Sequence, residues 1–173
     1  IFSRYEIGFN EKDSIAQVAF HKDLDKNFLV DVLNYFDNFE DINLQCFSKY
    51  SIPVLVDYLE RSHRYYMDKK LPEIEQTINI LTDLHREQSP SLSLIQWFFY
   101  DYKKELTKHF EMEEKMLFPY SRFLSQANCF SIPLPISLTY IKQYTVQDFI
   151  QEHADSHEDL SKIRKAILNY SPS

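Results

Sequence analysis

Apolar residues recur at helical spacing along most of the chain. Over residues 25–39, Phe28, Leu29, Val32, Leu33, Phe36 and Phe39 fall on one side of a helix, so that helix has one face to bury. A short helix is predicted over 13–20, residues 1–12 carry no strong period, and 43–50 read as a connection. Ser51 followed by Ile52-Pro53 predicts a helix start, with a capping hydroxyl and a proline in the first turn, where a missing N–H does no harm. From there Leu55, Leu59, His63 and Tyr66 recur at steps of four, four and three. Ile74, Ile78, Leu81 and His85 continue the pattern beyond a break or kink at Lys69-Lys70-Leu71-Pro72.

Ser89-Pro90 opens the best-patterned helix. Its seam reads Ile95, Phe99, Tyr102, Leu106, His109, Glu113, Met116 and Tyr120, alternating four and three. Pro133 and Pro135 fix the next connection. A third long helix begins at or just before Thr145, which forms a capping-box pattern with Asp148, and its seam is Val146, Ile150, His153, His157, Leu160, Arg164 and Ile167. Five histidines, His63, His85, His109, His153 and His157, and one glutamate thus fall on these seams.

Composition narrows the fold further. Average usage of ~7% would give roughly a dozen glycines at this length, yet Gly8 stands alone. Phosphate-cradling loops and tight-turned sheets both need glycine, so an all-α protein is what remains. The net charge of −7 and the lack of a long basic run disfavour nucleic acid as a partner. Cys46 and Cys129 lie far apart without a CxxC pattern, which reads as reduced core thiols in a cytoplasmic protein. No apolar run approaches the ~18 residues of a membrane span.

The inward histidines matter only if they meet. In antiparallel helices, residues at equal distances from the turn lie side by side. With a turn near 88, His63 and Glu113 are each twenty-five residues from it; with a second turn near 131, His109 and His153 are each twenty-two away. His63, His109, Glu113 and His153 are therefore predicted at one level, with His157 one turn along, either as a further ligand or as a flanking residue. His85 lies roughly 33 Å along the rod from His63 and is assigned a structural role. His21 is expected at the surface. In the pairs Glu113-Glu114 and Glu158-Asp159 the off-seam members are expected to be solvated. Imidazoles and a carboxylate without cysteine suit first-row metals, iron foremost and then manganese or zinc, and His109-x-x-x-Glu113 lets one carboxylate bridge two ions.

The stretch Tyr-Leu-Glu-Arg-Ser-His ending at His63, the string His-x-x-x-Glu-Glu-x-x-Leu-Phe-Pro from His109 to Pro119, and Glu152-His153 resemble the haemerythrin-like (HHE cation-binding) domain. Among its members the iron-sulfur cluster repair di-iron proteins are the nearest likeness, and the similarity covers residues 51 to 168. It implies an up-and-down four-helix bundle around an oxo-bridged di-iron centre, with His63, His109 and His153 as terminal ligands and Glu113 bridging. On this reading residues 1–50 form an N-terminal helical segment and 51–173 the bundle.

Three departures bear on the site. The family's fourth helix carries a second HxxxE pair, and the sequence ends before one occurs, so the bundle is expected to lack its C-terminal metal-ligating helix and to bind iron partially. The adjacent cysteines common in repair proteins are not present in residues 1–50. His157 stands where the family has a small residue. A partner chain that swaps a helix into the groove, making a homodimer, is one way to close such a bundle.

Three functions follow as expectations. The first is a di-iron stress protein that handles iron, oxygen or nitric oxide, with iron-sulfur cluster repair as the family role and an iron-sulfur protein or a diatomic molecule as partner. The second is a sensing module for the same ligands attached to an effector, and the third a metal-free helical interaction scaffold. With no Gly-x-Ser-x-Gly elbow, no HExxH and no histidine near Cys129 in sequence, conventional enzymatic activity is not expected. Phe99, Tyr102 and Tyr66 are the aromatic residues expected to keep the site dry.

Overall fold

The computed structural model describes residues 1–8, 13–37, 44–84 and 90–130. The predicted third long helix, with His153 and His157, lies outside the described residues, as do His85, Phe39 and the Pro133–Pro135 connection. The chain divides into two compact units, Ile1–Ser125 and Gln126–Ser173. Nearly everything described belongs to the first.

All regular structure among the described residues is helical: α1 (Ile15–His21), α2 (Lys26–Asp37), α3 (Ile52–Tyr65), α4 (Leu71–Leu84), α5 (Pro90–Met112) and α6 (Phe118–Phe130). Short 3-10 turns cover Phe2–Tyr5 and Leu44–Lys49, the latter within the stretch expected as a plain connection. None of the described helices is long and apolar enough to cross a membrane. Ser14 caps α1 in a reciprocal box with Gln17. The Asp25 carboxylate accepts the first N–H groups of α2 from Asn27 and Phe28, at 2.8 and 2.9 Å. Ser51 does precede α3, but its hydroxyl makes no capping bond; extended backbone at Ser51 and Pro53 in the first turn start this helix without one.

The N-terminal segment packs on α3. Tyr5, Val18, Ala19 and Leu29 form a buried cluster against which Ile1, Ile7, Leu24, Leu33 and Tyr58 close. The Phe28 ring meets Tyr50 and Tyr58 edge-on at 5.1 and 5.5 Å. Two arginines finish this layer. Arg4 donates to the Tyr58 hydroxyl and holds its cation over the rings of Phe36, Tyr58 and Tyr66 at 5.1, 5.2 and 5.6 Å. Arg61, bound through Nε to both oxygens of Asp57, lies 5.3 Å from the Tyr5 ring centre.

Helices α4 and α5 run antiparallel. Glu75 binds Lys103 at 2.5 Å, Asn79 accepts from Gln96 at 2.7 Å, and the Thr107 hydroxyl lies 3.9 Å from the Met67 sulfur. Each of these pairs is centred within about one residue of position 88, the turn point expected from the hydrophobic seams. Helix α6 is tied back to α3 by Arg122, whose guanidinium meets Glu60 in a two-pronged ion pair at 2.8 and 2.9 Å.

Two π turns interrupt the rods. Tyr66–Lys70 joins α3 to α4 and is closed by the Leu71 N–H on the Tyr66 carbonyl; Glu113–Leu117 joins α5 to α6, closed by Phe118 on Glu113. Each is followed two residues later by a proline, Pro72 and Pro119. A proline inside a helix donates no bond to the carbonyl four residues back and its ring collides with that carbonyl, and a widened turn just before it relieves both faults. The kink expected at 69–72 is the first of these; the second was not expected from the seam. Each extra residue also moves the inward stripe. Beyond the first π turn the covered positions are Leu71, Glu75, Ile78 and Thr82: Ile78 is covered as predicted, while Glu75 and Thr82 take the places expected for Ile74 and Leu81, which are exposed. Beyond the second, Phe118 is the most deeply buried residue, whereas the seam pointed to Met116 and Tyr120.

Candidate metal centre

His63 and Glu113 are both buried, at 5% and 7% exposure, although their side chains are polar. α3 presents His63 toward the C-terminal end of α5, and the antiparallel pairing brings Glu113 to the same level. His63 Nε2 lies 2.9 Å from Glu113 Oε2. His109, one turn before Glu113 on the same helix, places Nε2 3.4 Å from the other oxygen, Oε1. One carboxylate therefore stands between two imidazoles and turns a different oxygen to each.

The other edge of the His63 ring is also engaged. Its Nδ1–H donates to Glu114 Oε1 at 3.0 Å, although the Glu114 side chain is nearly half exposed. The expectation that Glu114 is simply solvated is thus too coarse. An α-helix separates successive side chains by ~100°, but a turn closed five residues apart carries more residues and separates them by less. The π turn that starts at Glu113 thereby lets two consecutive glutamates reach the two nitrogens of one imidazole. A neutral imidazole has a single N–H and can donate to only one of the two carboxylates, whereas the doubly protonated ring donates to both.

Aromatic rings set the plane of His63. Phe110 stacks on it at 3.8 Å with an interplanar angle of 9°, and Phe118 lies on it at 5.5 Å and 26°. Neither was singled out from the sequence. The aromatic neighbours that were expected do other things: the Tyr66 hydroxyl lies 3.5 Å from Arg4, and Phe99 lines a groove of about 420 Å³ between α4 and α5 with Ile78, Trp97 and Tyr100. Tyr102 is half-buried, and burial first, then the nearby Tyr66, hold its phenol above the usual range, so it remains an O–H at neutral pH. His21 is exposed at the end of α1, as expected.

Donor atoms at ~2.0–2.2 Å from a shared ion lie about 3.0–3.4 Å apart at ordinary coordination angles, so both His–Glu113 spacings suit a pair of ligands as well as a hydrogen bond. Among the described residues, however, no group of three His, Cys, Asp or Glu side chains converges to hold one ion. Each Glu113 oxygen faces one imidazole. Every buried side-chain nitrogen and oxygen among the described residues has a hydrogen-bond partner, so the cluster is internally compensated. His153 and His157, the remaining predicted ligands, lie outside the described residues. No family model, no curated protein and no solved structure matches the chain.

Proposed function

We propose that this chain is a haemerythrin-like metal protein with a pair of iron ions as its resident cofactor, acting in iron-sulfur cluster repair or the response to nitrosative and oxidative stress. The observation that carries the reading is the Glu113 carboxylate, which directs one oxygen toward His63 and the other toward His109. His63 Nε2 and His109 Nε2 are the terminal donors, Glu113 the bridge, and His153 and His157 are proposed to complete the donor set. Two imidazoles and a carboxylate without thiolate fit iron better than a soft metal, with manganese and zinc as lesser candidates. When bound, iron supplies redox chemistry and affinity for oxygen or nitric oxide. The residues of the chain hold the donors in place and, through Phe110 and Phe118 on the His63 ring, limit water at that side of the site.

Loading the full chain with ferrous iron under anaerobic conditions and measuring metal per chain tests this. Iron should be bound, with near-ultraviolet charge-transfer absorption after exposure to air, and both should be lost in His109→Ala and Glu113→Ala. Equal iron content in the two variants and the parent overturns the proposal. The metal-free scaffold reading has its own support in the exposed Leu84, Leu94, Trp97 and Tyr100 on α4 and α5, and a chain that binds no metal but self-associates or captures a partner favours it. The sensing reading has no comparable observation.

A further inference from the structure

We infer that Glu114 is a positioning residue for the metal centre, selecting the ring orientation in which His63 offers Nε2 to the site. The inference rests on the reading of His63 as a ligand. Stacked rings and two carboxylates hold this imidazole. Stacking on Phe110 at 9° fixes the plane of the ring, but a half-turn about the Cβ–Cγ bond leaves the plane and the stacking unchanged. That half-turn would put Cδ2 where Nδ1 now lies and Cε1 where Nε2 lies, presenting a C–H to Glu113. That rotation loses both the Nδ1–Glu114 Oε1 contact, at 3.0 Å, and the Nε2–Glu113 Oε2 contact, at 2.9 Å, and of the two only the Glu114 contact does not compete with a cation for Nε2. Holding Nδ1 on Glu114 leaves Nε2 as the nitrogen turned toward Glu113 and the site.

Glu114 is suited to this role by its setting. It is adjacent in sequence to Glu113, and the π turn Glu113–Leu117 brings both to one ring. Its side chain is 45% exposed, against 9% for Glu113, so its charge stays hydrated while it orients a buried partner. The division of labour is that Glu113 holds metal and Glu114 holds the ligand.

The test uses the full chain and Glu114→Ala, Glu114→Gln and His63→Ala, with ferrous iron competed anaerobically against a chromophoric chelator. Glu114→Ala should weaken iron binding about 10- to 100-fold, and Glu114→Gln, whose amide oxygen still accepts from Nδ1, should recover most of the loss. Long-range proton–nitrogen NMR of the metal-free protein gives a readout independent of metal: the parent and Glu114→Gln should show a proton held on His63 Nδ1, and Glu114→Ala a reduced proton occupancy there. Unchanged melting temperatures would separate this from a folding defect. If Glu114→Ala binds iron as the parent does while His63→Ala does not, Glu114 has no positioning role and the metal reading stands. If His63→Ala also binds as the parent does, the metal reading falls and takes this inference with it.

Discussion

Helix α3 is used differently on its two sides. At ~100° per residue, Tyr58 and Arg61 project about 140° and 160° away from His63, so one helix carries an aromatic layer on one face and a charged cluster on the other. On the first face Tyr58 meets Phe28 and Tyr5, and the polar groups present are arginines whose cations rest on rings. On the second, a buried histidine is bonded to two carboxylates. Burying apolar side chains contributes roughly 1.5–3 kcal/mol each, whereas a buried ionic cluster is roughly neutral once desolvation is counted. The aromatic face therefore anchors α3, and on the His63 side the stabilising contacts are the Phe110 and Phe118 rings rather than the His63–carboxylate contacts themselves.

Three measurements sharpen or break that contrast. The largest effect is expected from Leu29→Ala, which empties a position in the aromatic layer that is only 1% exposed. Urea unfolding should show a loss of about 2–5 kcal/mol, with iron bound per folded molecule unchanged. A loss below 1 kcal/mol would mean the layer does not anchor α3.

A smaller change is expected from the double replacement His63→Leu with Glu113→Leu. Glu114, which is half hydrated, and His109 then lose one contact each but no buried carboxylate is left behind, so metal-free stability should fall by no more than about 1–2 kcal/mol while iron binding disappears. A fall comparable to that of Leu29→Ala would place the fold's stability on the site face as well.

The smallest effect concerns pH. Burial raises the phenols of Tyr5 and Tyr58 above the usual value near 10. The unfolded chain then releases these protons first as pH rises, so the folded state binds more protons than the unfolded one and stability falls. The contribution should be fully present below about pH 10 and decline above it. Unfolding midpoints between pH 8 and 11 should drop more steeply in the parent than in Tyr5→Phe; parallel curves would remove Tyr5 from the account.

Much of the arrangement around His63 was legible in the residues. Its place on a buried face, its level with Glu113 and the turn point near 88 follow from counting along periodic seams, because an uninterrupted helix converts sequence distance into height. The counting failed where the helices stop being α. Pro72 and Pro119 are the signals: each follows a π turn whose extra residue rotates everything beyond it. That rotation is why Thr82 is covered while Leu81 is exposed, and why Phe118 rather than Met116 is buried. Within the second π turn the smaller angle between successive side chains also lets Glu114, an outward residue by α-helical counting, bond to His63.

The role of residues 1–50 was less legible. The apolar stripe of α2 showed that this helix must dock but not where, since hydrophobic contact is non-directional and any apolar face would satisfy it. Its place beside Tyr58 depends on the complementary shapes of Phe28, Leu29 and Tyr5. By itself the sequence determined the helical class, the apolar faces ahead of the π turns and the level at which His63, His109 and Glu113 meet, which follow from regular helical counting. Tertiary structure alone decided which carboxylate oxygen meets which imidazole, which edge of His63 is held by Glu114 and which rings cover it. Those depend on rotations of a few tens of degrees about helix axes and side-chain bonds, and such rotations are set by packing between elements.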